Sequence, residues 1–150
     1  MLTQHGIAKP VYHAMKMLHD AGDERIDLGP DATMGEIGYA AFRKGNQTQL
    51  LLFRQNMKNL DLPREKAQIT LEALETPQSV TVRRVDESHG NPLKLWEDMG
   101  KPEQLTREEI EALKNASAVT DEAWPFTCQD GKVELTVELS VNDVYFISIQ

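Results

Sequence analysis

Asp86, Glu87 and His89 stand within four residues of one another, a spacing that puts two carboxylates and an imidazole in one loop. Such a group could serve as an acid/base pair or supply metal ligands. No nucleophile or second ligand group accompanies them, and His89-Gly90-Asn91 reads equally as a turn leading into a helix cap, which would make the segment a structural loop held by local hydrogen bonds. Three more histidines, His5, His13 and His19, lie near the N-terminus. His13 and His19 would diverge by about 240° on a helix, so they read as surface or packing histidines rather than a metal site. Trp96 and Trp124 could each offer a flat face to a sugar ring. Trp96, with Leu93 and Met99 three residues to either side, fits core packing better, whereas Trp124, before Pro125-Phe126, is open to both readings. Cys128 has no basic neighbour to lower its pKa and reads as an inert thiol. We therefore expect Trp124, Asp86 and His89 as the residues for a sugar contact, with no catalytic residue, metal site or cofactor.

Composition narrows the partners. The 150 residues carry 16 basic and 24 acidic side chains, a net charge of -8, which opposes binding to a phosphate backbone. The one adjacent arginine pair, Arg83-Arg84, lies in a strand-like run and would point to opposite faces. No apolar run approaches the ~18 residues of a membrane span, and Met1 to Gly6 has neither the basic nor the apolar region of a signal peptide. One cysteine excludes an intrachain disulfide and suits a reducing compartment, so a cytoplasmic location is expected. No phosphate-binding loop, dinucleotide fingerprint, nucleophile elbow or zinc-ligand spacing occurs.

The elements that must position these residues are mostly strands. Pro10 opens a helix whose Val11, Ala14, Met15 and Leu18 form one apolar stripe, with Gly22 as its stop; the stripe must dock on something. Ile37 to Phe42 and Gln49 to Gln55 read as a hairpin around Lys44-Gly45-Asn46-Gln47. Ala67 to Leu74 alternates, with Ala67, Ile69, Leu71 and Ala73 on one face; Thr76-Pro77-Gln78 turns the chain into the β-branched run Ser79 to Val85. Asn91-Pro92 starts a short helix through Met99, stopped by Gly100 and Pro102, and Thr106-Arg107-Glu108-Glu109 is a capping box for a second helix with Ile110, Leu113 and Ala116 inward. Val133, Leu135, Val137 and Leu139 alternate with polar residues after the turn Asp130-Gly131. Val144 to Ile149 is apolar on both faces and so central or covered. With two shorter strands, Arg25–Leu28 and Trp124–Gln129, and few helical crossovers, the expected fold is mainly β: an antiparallel β-sandwich with an N-terminal helix and a short helical insertion between strands.

Arg84-Val85-Asp86-Glu87-Ser88-His89-Gly90-Asn91, then Trp96-Glu97-Asp98-Met99-Gly100-Lys101-Pro102, Leu105 and Leu113-Lys114-Asn115-Ala116-Ser117, resemble the C-terminal region of glycoside hydrolase family 39, which holds β-xylosidases and is related to α-L-iduronidases. Gly131 to Leu139 and Val144 to Ile149 resemble the family's closing hairpin. The N-terminus, Leu2-Thr3 through Gly6 to Ala14, resembles its passage from the last barrel strand into the last barrel helix. The resemblance spans nearly the whole chain. It implies residues 1–22 as a helix that would belong to a (β/α)8 barrel and residues 23–150 as an accessory β-sandwich. In that family two barrel glutamates act as acid/base and nucleophile in a retaining hydrolysis. This chain is expected to begin after the strands that hold them, so neither can be carried over. The acidic residues here read otherwise: Glu108 and Glu109 serve a helix N-terminus, and Glu134 and Glu138 a solvated strand face. A chain inert alone, supporting a barrel or subunit contacts, is the leading expectation. The alternatives are a free-standing module binding xylo-oligosaccharide and a domain that associates with copies of itself.

Overall fold

A computed structural model describes residues 2–29, 35–56, 62–72 and 76–150. Among them the chain forms helix α1 (Pro10–Asp20), strands β1 (Glu24–Ile26), β2 (Gly38–Lys44), β3 (Gln47–Phe53), β4 (Glu65–Glu72) and β5 (Val80–Val85), helices α2 (Leu93–Asp98) and α3 (Arg107–Ala116), and strands β6 (Glu122–Ala123), β7 (Thr127–Gln129), β8 (Lys132–Leu139) and β9 (Val144–Ile149). Six strands make one sheet in the order β1-β2-β3-β9-β5-β6, and three make a second in the order β4-β8-β7. All of these pairings are antiparallel. The expected mainly-β antiparallel architecture is present. The turn at Thr76-Pro77-Gln78 carries the chain from the smaller sheet to the larger one, since β4 and β5 belong to different sheets. The expected strand through Leu74 is described as far as Glu72; Ala73 and Leu74 lie outside the described residues.

Alternation builds the core. Along β8, Val133, Leu135, Val137 and Leu139 are buried while Lys132, Glu134, Thr136 and Glu138 are exposed. Facing them across the sandwich are Leu50 and Leu52 of β3, Val80 and Val82 of β5, and Tyr145, Ile147 and Ile149 of β9. Strand β9 lies between β3 and β5, so both its edges are paired, and the face carrying Tyr145, Ile147 and Ile149 is covered by the smaller sheet. Its opposite face, with Phe146, joins Leu51, Val85 and Met17 in a second buried cluster beneath α1.

Helix α1 departs from expectation in which face it buries. Pro10 is at its first turn, as expected. Met17 is fully buried, with His13 and Asp20 half-buried beside it, whereas Val11, Met15 and Leu18 are 51%, 50% and 45% exposed. The apolar stripe therefore points roughly 140° away from the docked face at 100° per residue. Nor does Gly22 stop the helix as a left-handed cap. Asp20 is the last helical residue and Ala21 caps it in an extended conformation. Gly22 is needed for close approach, because a Cβ there would collide with the Arg43 carbonyl of β2; its N–H donates to Gln49 Oε1 at 2.8 Å.

The helical insertion runs from α2 to α3. Asn91 Oδ1 accepts from Leu93 N at 3.2 Å, and Gly100 ends α2 with a φ of +86°. Thr106 and Glu109 form the full capping box of α3, whose Leu113 is buried. Trp96 does not join the core as expected. The six-residue α2 lies off the sandwich, leaving Leu93 53% exposed and Trp96 lining a groove, its indole N–H donating to the Pro102 carbonyl at 3.2 Å. No helix among the described residues is long and apolar enough to cross a membrane.

Candidate functional site

Arg84, dismissed above as half of a split arginine pair, is the residue around which the expected sugar-contact residues gather. Strand alternation turns Arg84 toward Tyr145 and Trp124, and Arg83 toward Phe146 on the other face. Its guanidinium Cζ sits 5.5 Å from the Trp124 ring centroid. Its Nη2 donates to Glu122 Oε2 at 2.6 Å and to His89 Nε2 at 3.0 Å, and Nη1 lies 3.9 Å from Asp86 Oδ2. Trp124, Asp86 and His89 are thus brought together, although 38 residues separate Arg84 from Glu122 in the chain.

Local hydrogen bonds shape the loop from Asp86 to Gly90. Asp86 Oδ1 accepts from Ser88 N at 2.8 Å, His89 N at 2.9 Å and His89 Nδ1 at 2.7 Å, and Asp86 N donates to the His89 carbonyl at 3.0 Å. These contacts assign the imidazole tautomer: Nδ1 carries the proton toward Asp86, and Nε2 accepts from Arg84. Burial alone would raise the Asp86 pKa; the His89 ring and the Ser88 and His89 amides outweigh it and hold the carboxyl below its usual value. Burial would likewise lower the Arg84 pKa, but Glu122 and the Tyr145 hydroxyl raise it further still.

The chemistry this arrangement supports is limited by that mutual satisfaction. An Asp–His pair serves as a general base when the far ring nitrogen can take a proton from a reacting group. Here the far nitrogen is engaged by a guanidinium. Trp124 is similarly committed: Arg84 covers its ring, Nε1 donates to the Thr136 carbonyl of β8 at 3.0 Å, and its backbone N–H donates to Val80 O at 2.8 Å. The cluster joins β5, β6, the Asp86–Gly90 loop and the smaller sheet. His5, His13 and His19 do not converge, and among the described residues no group of three His, Cys, Asp or Glu side chains is placed to hold a metal ion. Cys128 is half-buried, with Sγ 3.7 Å from Thr76 Oγ1.

Two grooves flank α1. One of about 700 Å³ is lined by the arm Thr3 to Pro10 and by Leu93, Trp96 and Leu105; the other, of about 300 Å³, by Ala14, Leu18, Phe53 and Asp143. Asp143 is 6% exposed and Phe53 38%. Sequence reasoning found neither residue, because what marks them is the return of β9 beside β3.

Two antiparallel sheets packed face to face, with α1 set on the outer face of the larger one, define a β-sandwich domain. The chain belongs to glycosyl hydrolases family 39, whose family model matches residues 1–134. It is 32% identical over 143 residues to a β-xylosidase of Caldicellulosiruptor saccharolyticus, covering 94% of this chain and 29% of the relative. It is 26% identical over 152 aligned positions to a β-xylosidase of Geobacillus stearothermophilus, covering 100% and 28%. The crystal structure of the family 39 enzyme from Xanthomonas axonopodis pv. citri superposes with a TM-score of 0.73 at 20% identity, over 99% of this chain and 31% of that one. The chain therefore spans less than a third of the length of the relatives it matches.

Proposed function

We propose that this chain is the non-catalytic β-sandwich unit of a family 39 glycosidase and that it works by bracing a (β/α)8 barrel that performs a retaining, β-xylosidase-like hydrolysis. The observation that carries this reading is the outward stripe of α1. A helix anchored through Met17 leaves Val11, Met15 and Leu18 bare, and Phe53 opens beside Leu18 in the same groove. A contiguous apolar patch of this kind marks an interaction surface. Family membership, with relatives more than three times as long, supplies an occupant: the catalytic remainder of such an enzyme.

The test has two arms. The purified chain, given an aryl β-xyloside, is expected to show no turnover above the blank; robust turnover overturns the non-catalytic assignment. Co-expressed with the barrel portion of a family 39 β-xylosidase lacking its own sandwich, the chain is expected to co-elute with it and Met15→Asp to break the complex. A soluble barrel that ignores the chain overturns the bracing role. Heat on titration with millimolar xylo-oligosaccharide, abolished by Trp124→Ala, would favour a carbohydrate-binding module instead, and association of the chain with itself through α1 would favour an interaction domain.

A further inference from the structure

Helix α1 is held to the sandwich by few contacts, and one of them is a titratable ring. Met17 closes into the cluster of Leu51, Val85 and Phe146. Asp20 Oδ2 receives Arg83 Nη1 at 2.8 Å, and Lys44 Nζ donates to the Asp20 carbonyl at 2.8 Å. One turn before Met17, His13 faces the same way. Its Nε2 is enclosed and has no hydrogen-bond partner among the described residues. The Tyr12 ring meets it edge-on, with centroids 5.4 Å apart. The loop after β5 presses against it at Gly90, where φ is +63° and an added Cβ would stand 3.5 Å from His13 Cδ2 and 2.5 Å from Val119 Cγ2. The end of α3 presents the Ser117 backbone, and β5 presents the guanidinium of Arg83, which also binds Asp121.

We propose that His13 is a protonation-sensitive latch: neutral, its ring lets α1 lie on the sandwich, and protonated, it drives the helix off. A second ring proton would put a positive charge into an enclosed site, where Nε2 has no hydrogen-bond partner and a guanidinium stands close by, with the Ser117 backbone as the one group that favours it. Burial lowers the pKa of His13 below 6.5, the Ser117 backbone opposes this, and the Arg83 charge adds to the lowering. The docked helix therefore binds the proton more weakly than a freed one. Docking is fully favoured above 6.5 and weakens as pH falls from there through the lowered value. The Asp20–Arg83 bridge persists in this window, because the pKa of Asp20 is itself held low: burial would raise it, and the hydrogen bonds and charges of Lys16 and Arg83 prevail. Val11, Met15 and Leu18 ride on the same helix, so the latch also governs the docking stripe; that consequence rests on the bracing role above, the latch itself does not.

Hydrogen exchange tests it on the chain alone. Exchange of the α1 amides, corrected for intrinsic rate, is followed from pH 7.5 to 5, with β8 amides as reference, in wild type and His13→Phe. The α1 opening constant is expected to rise toward a limit of about tenfold per pH unit for one proton taken up, with no comparable rise in β8 and the slope absent in His13→Phe. An α1 that opens no more at pH 5 than at 7.5, or an equal slope in both proteins, overturns the latch. Should His13→Phe fail to hold α1 even at pH 7.5, the ring titration of His13 followed by NMR in the wild type decides: a midpoint below 6.5 supports the latch, and one at or above it overturns the latch.

Discussion

Arg84 and Asp143 show how a side chain acquires its character from neighbours that the linear chain does not reveal. The loop from Asp86 to Gly90 was legible because its partners are three residues apart and an aspartate accepting from the following amides is a local habit of turns. The bond from Arg84 to Glu122 was not, since no periodicity relates a strand to a point 38 residues further on. Asp143 is the sharper case. Buried in the β8–β9 turn, with Ser140 N donating to Oδ2 at 2.7 Å, its pKa is pushed up to about 6; burial is the largest cause, the charges of Asp86 and Glu87 add to it, and the Ser140 amide and Arg64 oppose it. The native state thus holds this proton more tightly than the unfolded chain does. Its contribution to stability is complete below the unfolded value of 3.8 and is lost as pH rises through about 6. Asp143→Asn keeps an acceptor for Ser140 N and removes the charge. Urea unfolding should find the variant more stable than wild type at pH 7.5 by up to about 3 kcal/mol, at 1.36 kcal/mol per pKa unit, and the gap should narrow to about 1 kcal/mol by pH 4.5. The effect of His13, which has the opposite sign, is common to both proteins and cancels in the difference. A gap of equal size at both pH values would contradict this account.

Among the elements, α1 separates propensity from packing. The spacing of Val11, Ala14, Met15 and Leu18 correctly announces a helix, but the tertiary contact is made by Met17, His13 and Asp20. The sheet beneath offers Leu51, Val85 and Phe146 as an apolar floor and Arg83 as a cation, and only the Met17–Asp20 side matches both. Truncating the two methionines should tell the faces apart. Met17→Ala, at a fully buried site, should cost about 3 kcal/mol. Met15→Ala, at a half-exposed one, should stay within about 0.5 kcal/mol. Equal losses in chemical denaturation would mean that the stripe is packed within this chain after all. Strand β9 shows the reverse: its two-faced apolar pattern announced a central or covered strand, and it is both, flanked by β3 and β5 and covered by the smaller sheet on one face and α1 on the other.

Across the whole molecule, one buried guanidinium closes the open end of the sandwich. Arg54 follows β3 of the larger sheet and is 5% exposed. It donates to the Pro63 carbonyl at 2.7 Å and the Leu139 carbonyl at 3.3 Å, and pairs with Glu36 at 3.0 Å and Glu65 at 3.3 Å, so it reaches β4 and β8 of the smaller sheet. Arg54→Met would strand those carbonyls and leave Glu65 without its cation; a loss of about 3 kcal/mol in a urea titration is expected, and a loss under 1 kcal/mol would show that solvent replaces the clamp. By itself the sequence determined what depends on near neighbours and on period: strand alternation, the capping box of α3, the turns, the antiparallel sandwich and, through its motif string, membership of family 39. Only the tertiary structure decided which face of α1 is buried, that Arg84 rather than His89 is the hub of the polar cluster, and that Arg54 and Asp143 are enclosed. Local pattern reports what a segment can bury. What it does bury depends on partners tens of residues away, whose approach is set by packing the two sheets against each other.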